Sequence, residues 1–214
     1  MTLKLEALTK LRKPDLYESD LPEDRLLHYL KKPVLAIDTE TRGLIIQRDR
    51  LCLVQMCDEE GVVSLVRFRS RSAPRLKRLL EESHVIKLFH FARFDVAVLK
   101  YYLDAQVRPI WCTKIASKLV RTYTDKHGLK DLGRELLGLE LDKSDQTSDW
   151  AKEDLSDSQL EYAANDVRVL IPIYLKIKVL LEREGRLSLA EQVFGCVPAV
   201  SELDLGHFKD VFEH

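Results

Sequence analysis

The apolar run Val34-Leu35-Ala36-Ile37, followed by Asp38-Thr39-Glu40-Thr41-Arg42-Gly43-Leu44, is the clearest pattern in the chain. A continuous apolar run of this length predicts a strand buried on both faces, with the glycine soon after marking its exit. Side chains alternate along a strand, so Asp38 and Glu40 share one side if the strand continues through them. Residues 51–57 and 62–66 predict two more strands, and Asp58-Glu59-Glu60-Gly61 reads as the turn of an antiparallel meander. Residues 84–89 predict a fourth strand and 107–111 a short fifth.

Helical spacing takes over elsewhere. Asp20-Leu21-Pro22-Glu23-Asp24 resembles a helix start, with Leu26, Leu27 and Leu30 as its apolar face and Pro33 as its stop. Leu76, Leu79 and Leu80 suggest a short helix, and Phe94, Val98, Leu99 and Tyr102 a longer one. From Cys112 onward the pattern is helical, over 113–120, 129–137 and 156–181. Ser156 and Gln159 supply a capping box for the last of these. Three antiparallel strands followed by strand–helix alternation give an α/β fold: a mixed five-stranded sheet flanked by helices, with a helical C-terminal half.

No repeat, low-complexity tract or Gly/Ser linker interrupts the chain. Residues 1–32 read as a helical N-terminal extension packed on a single domain over 33–214. A length of 214 residues suits one sizeable domain. Apolar content of 45% and charged content of 32% are ordinary for a globular protein. The net charge of -1 argues against a protein that coats long nucleic acid by bulk electrostatics. It leaves room for a local basic patch, and Arg67, Arg69, Arg71, Arg75, Lys77 and Arg78 fall within twelve residues that contain no acid. Such a run is either a solvated face or a phosphate-steering patch. The four cysteines show no paired or zinc-like spacing and read as reduced thiols. With no signal-peptide core and no membrane-spanning apolar run, the expectation is a cytoplasmic protein without membrane contact.

The candidate chemistry lies in scattered acids. Two carboxylates on one side of a buried strand are costly unless a cation compensates, and Mg²⁺ or Mn²⁺ favours oxygen ligands. Taken alone, an Asp-x-Glu pair is more often a solvated strand end. Asp95 falls near a helix start, where an acid also stabilises the dipole. Asp166 sits mid-helix in an apolar setting, with Tyr162 one turn earlier on the same face. Each has an ordinary structural explanation, but together they form an ordered set. Four carboxylates are what two divalent ions need for in-line displacement at a phosphodiester, and Tyr162 is placed to orient the attacking water.

These residues resemble the motifs of DEDD-type 3′–5′ exonucleases of the ribonuclease D family. Asp38 and Glu40 match the first motif, Asp95 the second, and Tyr162 with Asp166 the Y-x-x-x-D form of the third. Glu161 stands where the alternative subgroup carries histidine. His90-Phe91-Ala92-Arg93-Phe94-Asp95 and the run from Cys112 to Lys130 are similar to the nano-RNase C group of short ribonuclease D-like proteins. The resemblance implies an RNase H-like fold and two divalent metal ions (Mg²⁺ or Mn²⁺). The catalytic set would be Tyr162 with the metal ligands Asp38, Glu40, Asp95 and Asp166. It further implies hydrolysis of short single-stranded RNA, dinucleotides especially, to nucleoside 5′-monophosphates. A cytoplasmic homo-oligomer, an octameric ring, without the helical RNA-binding domains of full-length ribonuclease D, completes the picture.

Substrate contacts follow with less support from the residues themselves. Leu44 resembles the leucine that wedges between terminal bases in this superfamily, although a lone Leu is more often core. Thr41 is expected at the terminal sugar, and Phe94 is included among the substrate-binding residues. Arg121, Tyr123 and His127 are candidates for the phosphate or 5′ end, and a solvated segment is an equal alternative. Trp150 would either stack a base or seal the last helix. Two rival functions stay open: broader 3′ trimming of RNA precursors or DNA ends, and a catalytically silent nucleic-acid-binding protein.

Overall fold

The computed structural model describes residues 13–69, 71–141, 145, 147–208 and 211. Its sheet is built around the apolar run. Strand β2 (Val34–Thr41) buries Val34 to Ile37 on both faces. Antiparallel to it lies β3 (Leu51–Cys57), which is buried throughout, followed by antiparallel β4 (Val63–Arg67). On the other side of β2 lie parallel β5 (Ile86–Phe89) and β6 (Ile110–Cys112). Register is fixed by burial: Asp38 faces Gln55 and Glu40 faces Leu53 across the β2–β3 pair.

The sheet has six strands rather than the five expected. The additional one, β1 (Asp15–Glu18), pairs parallel with β4 and gives the order β1-β4-β3-β2-β5-β6. It lies in the stretch read as a helical extension, so the described part of that stretch is mixed: β1, then helix α1 (Glu23–Tyr29). The remainder of the extension, 1–12, lies outside the described residues.

Helix α2 (Pro74–Glu81) carries the chain from β4 to β5, and α3 (Ala92–Leu103) from β5 to β6. Next come α4 (Thr113–Val120), the short α5 (Leu129–Leu132) and a π-helical turn over Gly133–Leu137. The single helix expected over 156–181 is two, α6 (Asp157–Arg168) and α7 (Leu170–Arg183). Pro172 explains the break: its ring clashes with the carbonyl four residues back, at Arg168, and it has no N–H to offer that carbonyl. A last helix, α8 (Leu187–Leu205), packs on α3.

Helix α6 covers the β2–β3–β4 face and is anchored at its start. Ser156 Oγ accepts from the Gln159 backbone N–H at 3.2 Å, while Gln159 Oε1 accepts from the Ser156 N–H at 3.0 Å. Both bonds of the capping box are present. Ser156→Ala should therefore cost about 1 kcal/mol. In a thermal melt this is a drop of roughly 2–4 °C for a chain of this size.

All four cysteines are unpaired; Cys52, Cys57 and Cys112 are buried and Cys196 is exposed. No described helix is long and apolar enough to cross a membrane.

Candidate active site

At β2 the meander leaves on one side and the helical crossovers on the other. The crevice beyond the strand ends at such a switch is where α/β sheets place ligands. Asp38 and Glu40 lie at that end of β2, and α6 lays Tyr162 and Asp166 across the same face. Asp38, Glu40 and Asp166 each bring one carboxylate oxygen within 4.8 Å of the others. All three are half-buried, so an ion can reach them. Asp95, buried in the first turn of α3, completes the group: Thr39, between the two strand acids, donates from Oγ1 to Asp95 Oδ1 at 2.7 Å.

The turn that delivers Asp95 is tight. Phe91 caps α3 with φ +68, a left-handed backbone that is uncommon outside glycine, asparagine and aspartate. His90 Nδ1 lies 2.8 Å from Thr113 Oγ1, and Lys114 Nζ sits 4.3 Å above the Phe91 ring. His90 thus ties β5 to the start of α4.

The electrostatics are those of an anionic pocket. Burial raises Glu40 to about 9, with Asp166 and Asp95 pushing the same way. Burial raises Asp38 well above the carboxylate range, helped by Asp95, Glu40 and Asp166. Asp95 is raised by burial to about 7, against the opposing Thr39 hydrogen bond. Tyr162 is raised by burial and by Asp166 and Glu40, and it hydrogen-bonds to Asp166. It is therefore a phenol, not a phenolate, at neutral pH. An all-oxygen donor set under this repulsion fits hard divalent cations such as Mg²⁺ or Mn²⁺. A second group, His28, Asp58 and Glu60, does not fit as well. Lys32 Nζ already sits 2.5 Å from Glu60 and 3.7 Å from Asp58.

Of the expected substrate residues, Leu44 is 84% exposed, on the loop beside Glu40, so it is not core. That loop is closed by Arg42 N–H to Arg50 O at 3.0 Å and Ile45 N–H to Asp49 Oδ2 at 2.9 Å. A Cβ at 43 would stand 2.4 Å from Asp49 Oδ2, so any larger residue there would have to displace the carboxylate that accepts from Ile45 N–H. Thr41 Oγ1 donates to Gly43 O at 2.5 Å. Phe94 is half-buried against the core.

Arg121, Tyr123 and His127 come together in a network of their own. The buried Arg121 guanidinium pairs with Glu135 and donates to Lys126 O at 2.7 Å and Ser117 Oγ at 2.9 Å. Tyr123 also donates to Glu135, and His127 Nδ1 is 2.8 Å from Ser117 Oγ. The alternative of a solvated segment therefore does not hold at Arg121: within this chain the side chain ties α4 to the following segment. Tyr123 is 72% exposed and keeps a ring face open. Trp150 is buried, with its ring centroid 6.0 Å from that of Tyr162.

Gln55 escaped the sequence reading. Fully buried on β3, it donates from Nε2 to Asp38 Oδ2 at 3.3 Å. Its signal was a lone amide inside the apolar run 51–57.

Comparison with known proteins shows the family. A model of a 3′–5′ exonuclease family matches residues 16–182. Ribonuclease D of Gluconacetobacter diazotrophicus is 36% identical over 160 residues, 74% of this chain and 40% of the relative. The chain thus spans about two fifths of that relative's length. The solved structure of Brucella melitensis NrnC with bound Mg²⁺ is 43% identical with TM-score 0.89, covering 95% of this chain and 100% of the other. The same NrnC bound to pGG is 44% identical with TM-score 0.89, covering 94% and 98%.

Proposed function

On the premise that the chain belongs to the 3′–5′ exonuclease family, among ribonuclease D-like proteins that include NrnC, we propose a two-metal exoribonuclease acting on short single-stranded RNA. Its preferred substrate is a dinucleotide, released as nucleoside 5′-monophosphates. The observation that carries this reading is the convergence of Asp38, Glu40, Asp95 and Asp166 with the Tyr162 phenol in one anionic pocket.

Asp38, Glu40, Asp95 and Asp166 would hold two divalent ions. Bound there, the ions supply an activated water and stabilisation of the departing 3′ oxygen. Tyr162 holds and orients the water through its phenol, and its raised pKa makes it a hydrogen-bond partner rather than a standing base. Gln55 steadies Asp38 and Thr39 steadies Asp95, so both acids meet the ions in a set orientation. Exposed Leu44 is positioned to wedge between bases, and Thr41 to meet the terminal sugar. Phe94, Tyr123, His127 and Trp150 complete the proposed substrate set. Arg121 shapes that set from within its network with Glu135.

The pGG-bound relative supports a short substrate. The likeness to ribonuclease D supports a second reading, broader 3′ trimming of longer RNA or DNA ends. We take residues 33–214 as one exonuclease domain, with the 1–32 extension lending a strand to its sheet, in a cytoplasmic homo-oligomer. An octameric ring would cover exposed apolar side chains such as Val179 and Phe208.

The deciding experiment mixes the purified chain with Mn²⁺ and two 5′-labelled RNAs, a dinucleotide and a strand of roughly twenty nucleotides. Rapid loss of the dinucleotide with the longer strand largely intact is expected. Stepwise shortening of the long strand with dinucleotides left over would move the protein to general trimming. Cleavage of neither would end the enzyme reading.

A further inference from the structure

The last turn of α8 closes a circuit with α3 and the Leu44 loop. Arg93, in the first turn of α3, donates from Nε and one terminal nitrogen to the two oxygens of Asp204, at 2.5 and 2.6 Å. Beside this pair the buried Ser201 donates from Oγ to Arg93 O at 3.0 Å. One residue past Asp204, Leu205 O accepts from Gln47 Nε2 of the Leu44 loop at 3.0 Å. The adjoining loop residue is held by the other helix: Tyr102, near the end of α3, donates from its hydroxyl to Ile46 O at 2.8 Å. Helix to helix, helix to loop and loop to helix, each side of the triangle is a side-chain hydrogen bond.

Each link to α8 answers a local need. Asp204 stands in the last turn of α8, where a negative charge opposes the helix dipole, and that turn carries no basic residue of its own. Arg93 supplies the missing cation. Exposed ion pairs are commonly worth little, but a bidentate guanidinium–carboxylate pair fixes geometry as well as charge. Leu205 is the final residue of α8, and the carbonyls of a last helical turn have no partner within the helix. The Gln47 amide supplies one from 158 residues away.

The triangle carries two parts of the proposed site. Leu44 lies on the tethered loop and is 84% exposed, so its position depends on the tethers rather than on packing of its own. Asp95 shares the first turn of α3 with Arg93 and accepts from Thr39.

We propose that the end of α8 is a positioning element for the exonuclease reaction, which clamps the Leu44 loop and the Asp95 turn in fixed relation through Gln47 and Arg93. The inference rests on the exonuclease reading above and adds to it residues that act through Leu44 and Asp95. A loop held at Ile46 and Gln47 presents Leu44 in place before substrate arrives, which lowers the ordering cost of binding. A turn held through Arg93 keeps Asp95 where the ions need it.

The test uses the full chain and three variants. Gln47→Leu removes the loop link, Asp204→Ala removes the link to α3, and Asp204→Glu keeps the charge. The constants kcat and KM are read for Mn²⁺-dependent dinucleotide turnover. Deuterium exchange of the metal-free protein is followed at residues 42–50 and 91–95, with the core strand at 51–57 as reference. Gln47→Leu is expected to raise KM about tenfold with kcat within about twofold, the mark of lost binding that is equal in ground and transition states. Asp204→Ala is expected to raise KM similarly and to lower kcat at least about threefold, because it frees the Asp95 turn as well. It should also speed exchange at 42–50, which it reaches through Leu205, while 51–57 stays protected. Asp204→Glu should return both constants to within about twofold of the unsubstituted chain. Unchanged KM and unchanged exchange at 42–50 in both Gln47→Leu and Asp204→Ala would overturn the proposal. Faster exchange at 51–57 along with 42–50 would overturn it too, since α8 would then serve the stability of the whole fold. A chain that hydrolyses no dinucleotide, yet exchanges faster at 42–50 in Asp204→Ala, would keep the clamp and retire the exonuclease reading.

Discussion

Asp166→Asn lowers Mn²⁺-dependent dinucleotide turnover by at least about a thousandfold while raising the melting temperature of the metal-free protein. Both halves follow from the same carboxylate cluster. A bound divalent ion contributes several kcal/mol at a phosphodiester, and each 1.36 kcal/mol is a decade in rate, so losing a ligand removes about three decades or more. The stability gain has the opposite origin. Asp166 is among the causes that push both Asp38 and Glu40 upward. Replacing its charge with an amide relieves that repulsion, and the amide oxygen can still accept from the Tyr162 hydroxyl. Turnover is read with the labelled dinucleotide and stability by calorimetry in EDTA. Loss of turnover together with a lower melting temperature would mean that Asp166 serves the fold and that the activity loss is indirect. Unchanged turnover would mean that the background cleavage belongs to something else.

The second large effect is on the pH dependence of the metal-free protein. Glu40 stands at about 9 and Asp95 at about 7, and Asp38 is also raised, against ordinary values of 4.5 for Glu and 3.8 for Asp. Across that interval the folded state binds more protons than the unfolded one, so stability falls as pH rises. It is fully retained below about pH 4, where both states are protonated at these sites. It is lost progressively up to about pH 9, at no more than about 1.4 kcal/mol per pH unit for each group. Melting temperatures in EDTA should thus decline from pH 5 to pH 9. With Mn²⁺ present the trend should invert, because the ligands must be deprotonated to bind and the ion then stabilises the folded state. A flat profile in EDTA would show that the acids are better solvated than their packing indicates.

The core of this architecture was legible because it is written in periodicity. The apolar start of β2 and the nearly unbroken apolar run of β3 marked those strands, and helical spacing marked α4 with the bounds observed. The pieces that escaped depend on partners distant in sequence. Strand β1 is four mostly exposed residues, Asp-Leu-Tyr-Glu, whose strand character comes from pairing with β4 about fifty residues later. The division between α6 and α7 is the exception, since it turns on the local Pro172 within an otherwise continuous helical pattern.

The candidate site divides along the same line. Its acids were suggested by motif order; the structure brings Asp38, Glu40 and Asp166 within 4.8 Å of one another and sets Asp95 close enough to act on Asp38. Arg121 looked like a phosphate contact because it lies in a basic segment. Its partner Glu135 is fourteen residues away, and nothing local announces that the pair will close over a buried guanidinium. Gln55 owes its significance to the strand opposite it, where it donates to Asp38, and a linear pattern does not display that pairing.

The short strand β1 has a consequence for the protein in a crowded cell. Without it, β4 would be the outer strand, and its Val63-Ser64-Leu65-Val66 run, apolar apart from a buried serine, would offer an open ladder of amides and carbonyls to any passing chain. Open ladders of this kind seed intermolecular β-pairing. Asp15 to Glu18 closes it and leaves in its place a margin only four residues long, with an acid at each end. Edges that are short and charged are poor templates for a neighbour's strand. The segment before α1 is thus a guard against aggregation, and its worth is measured in solubility rather than in chemistry.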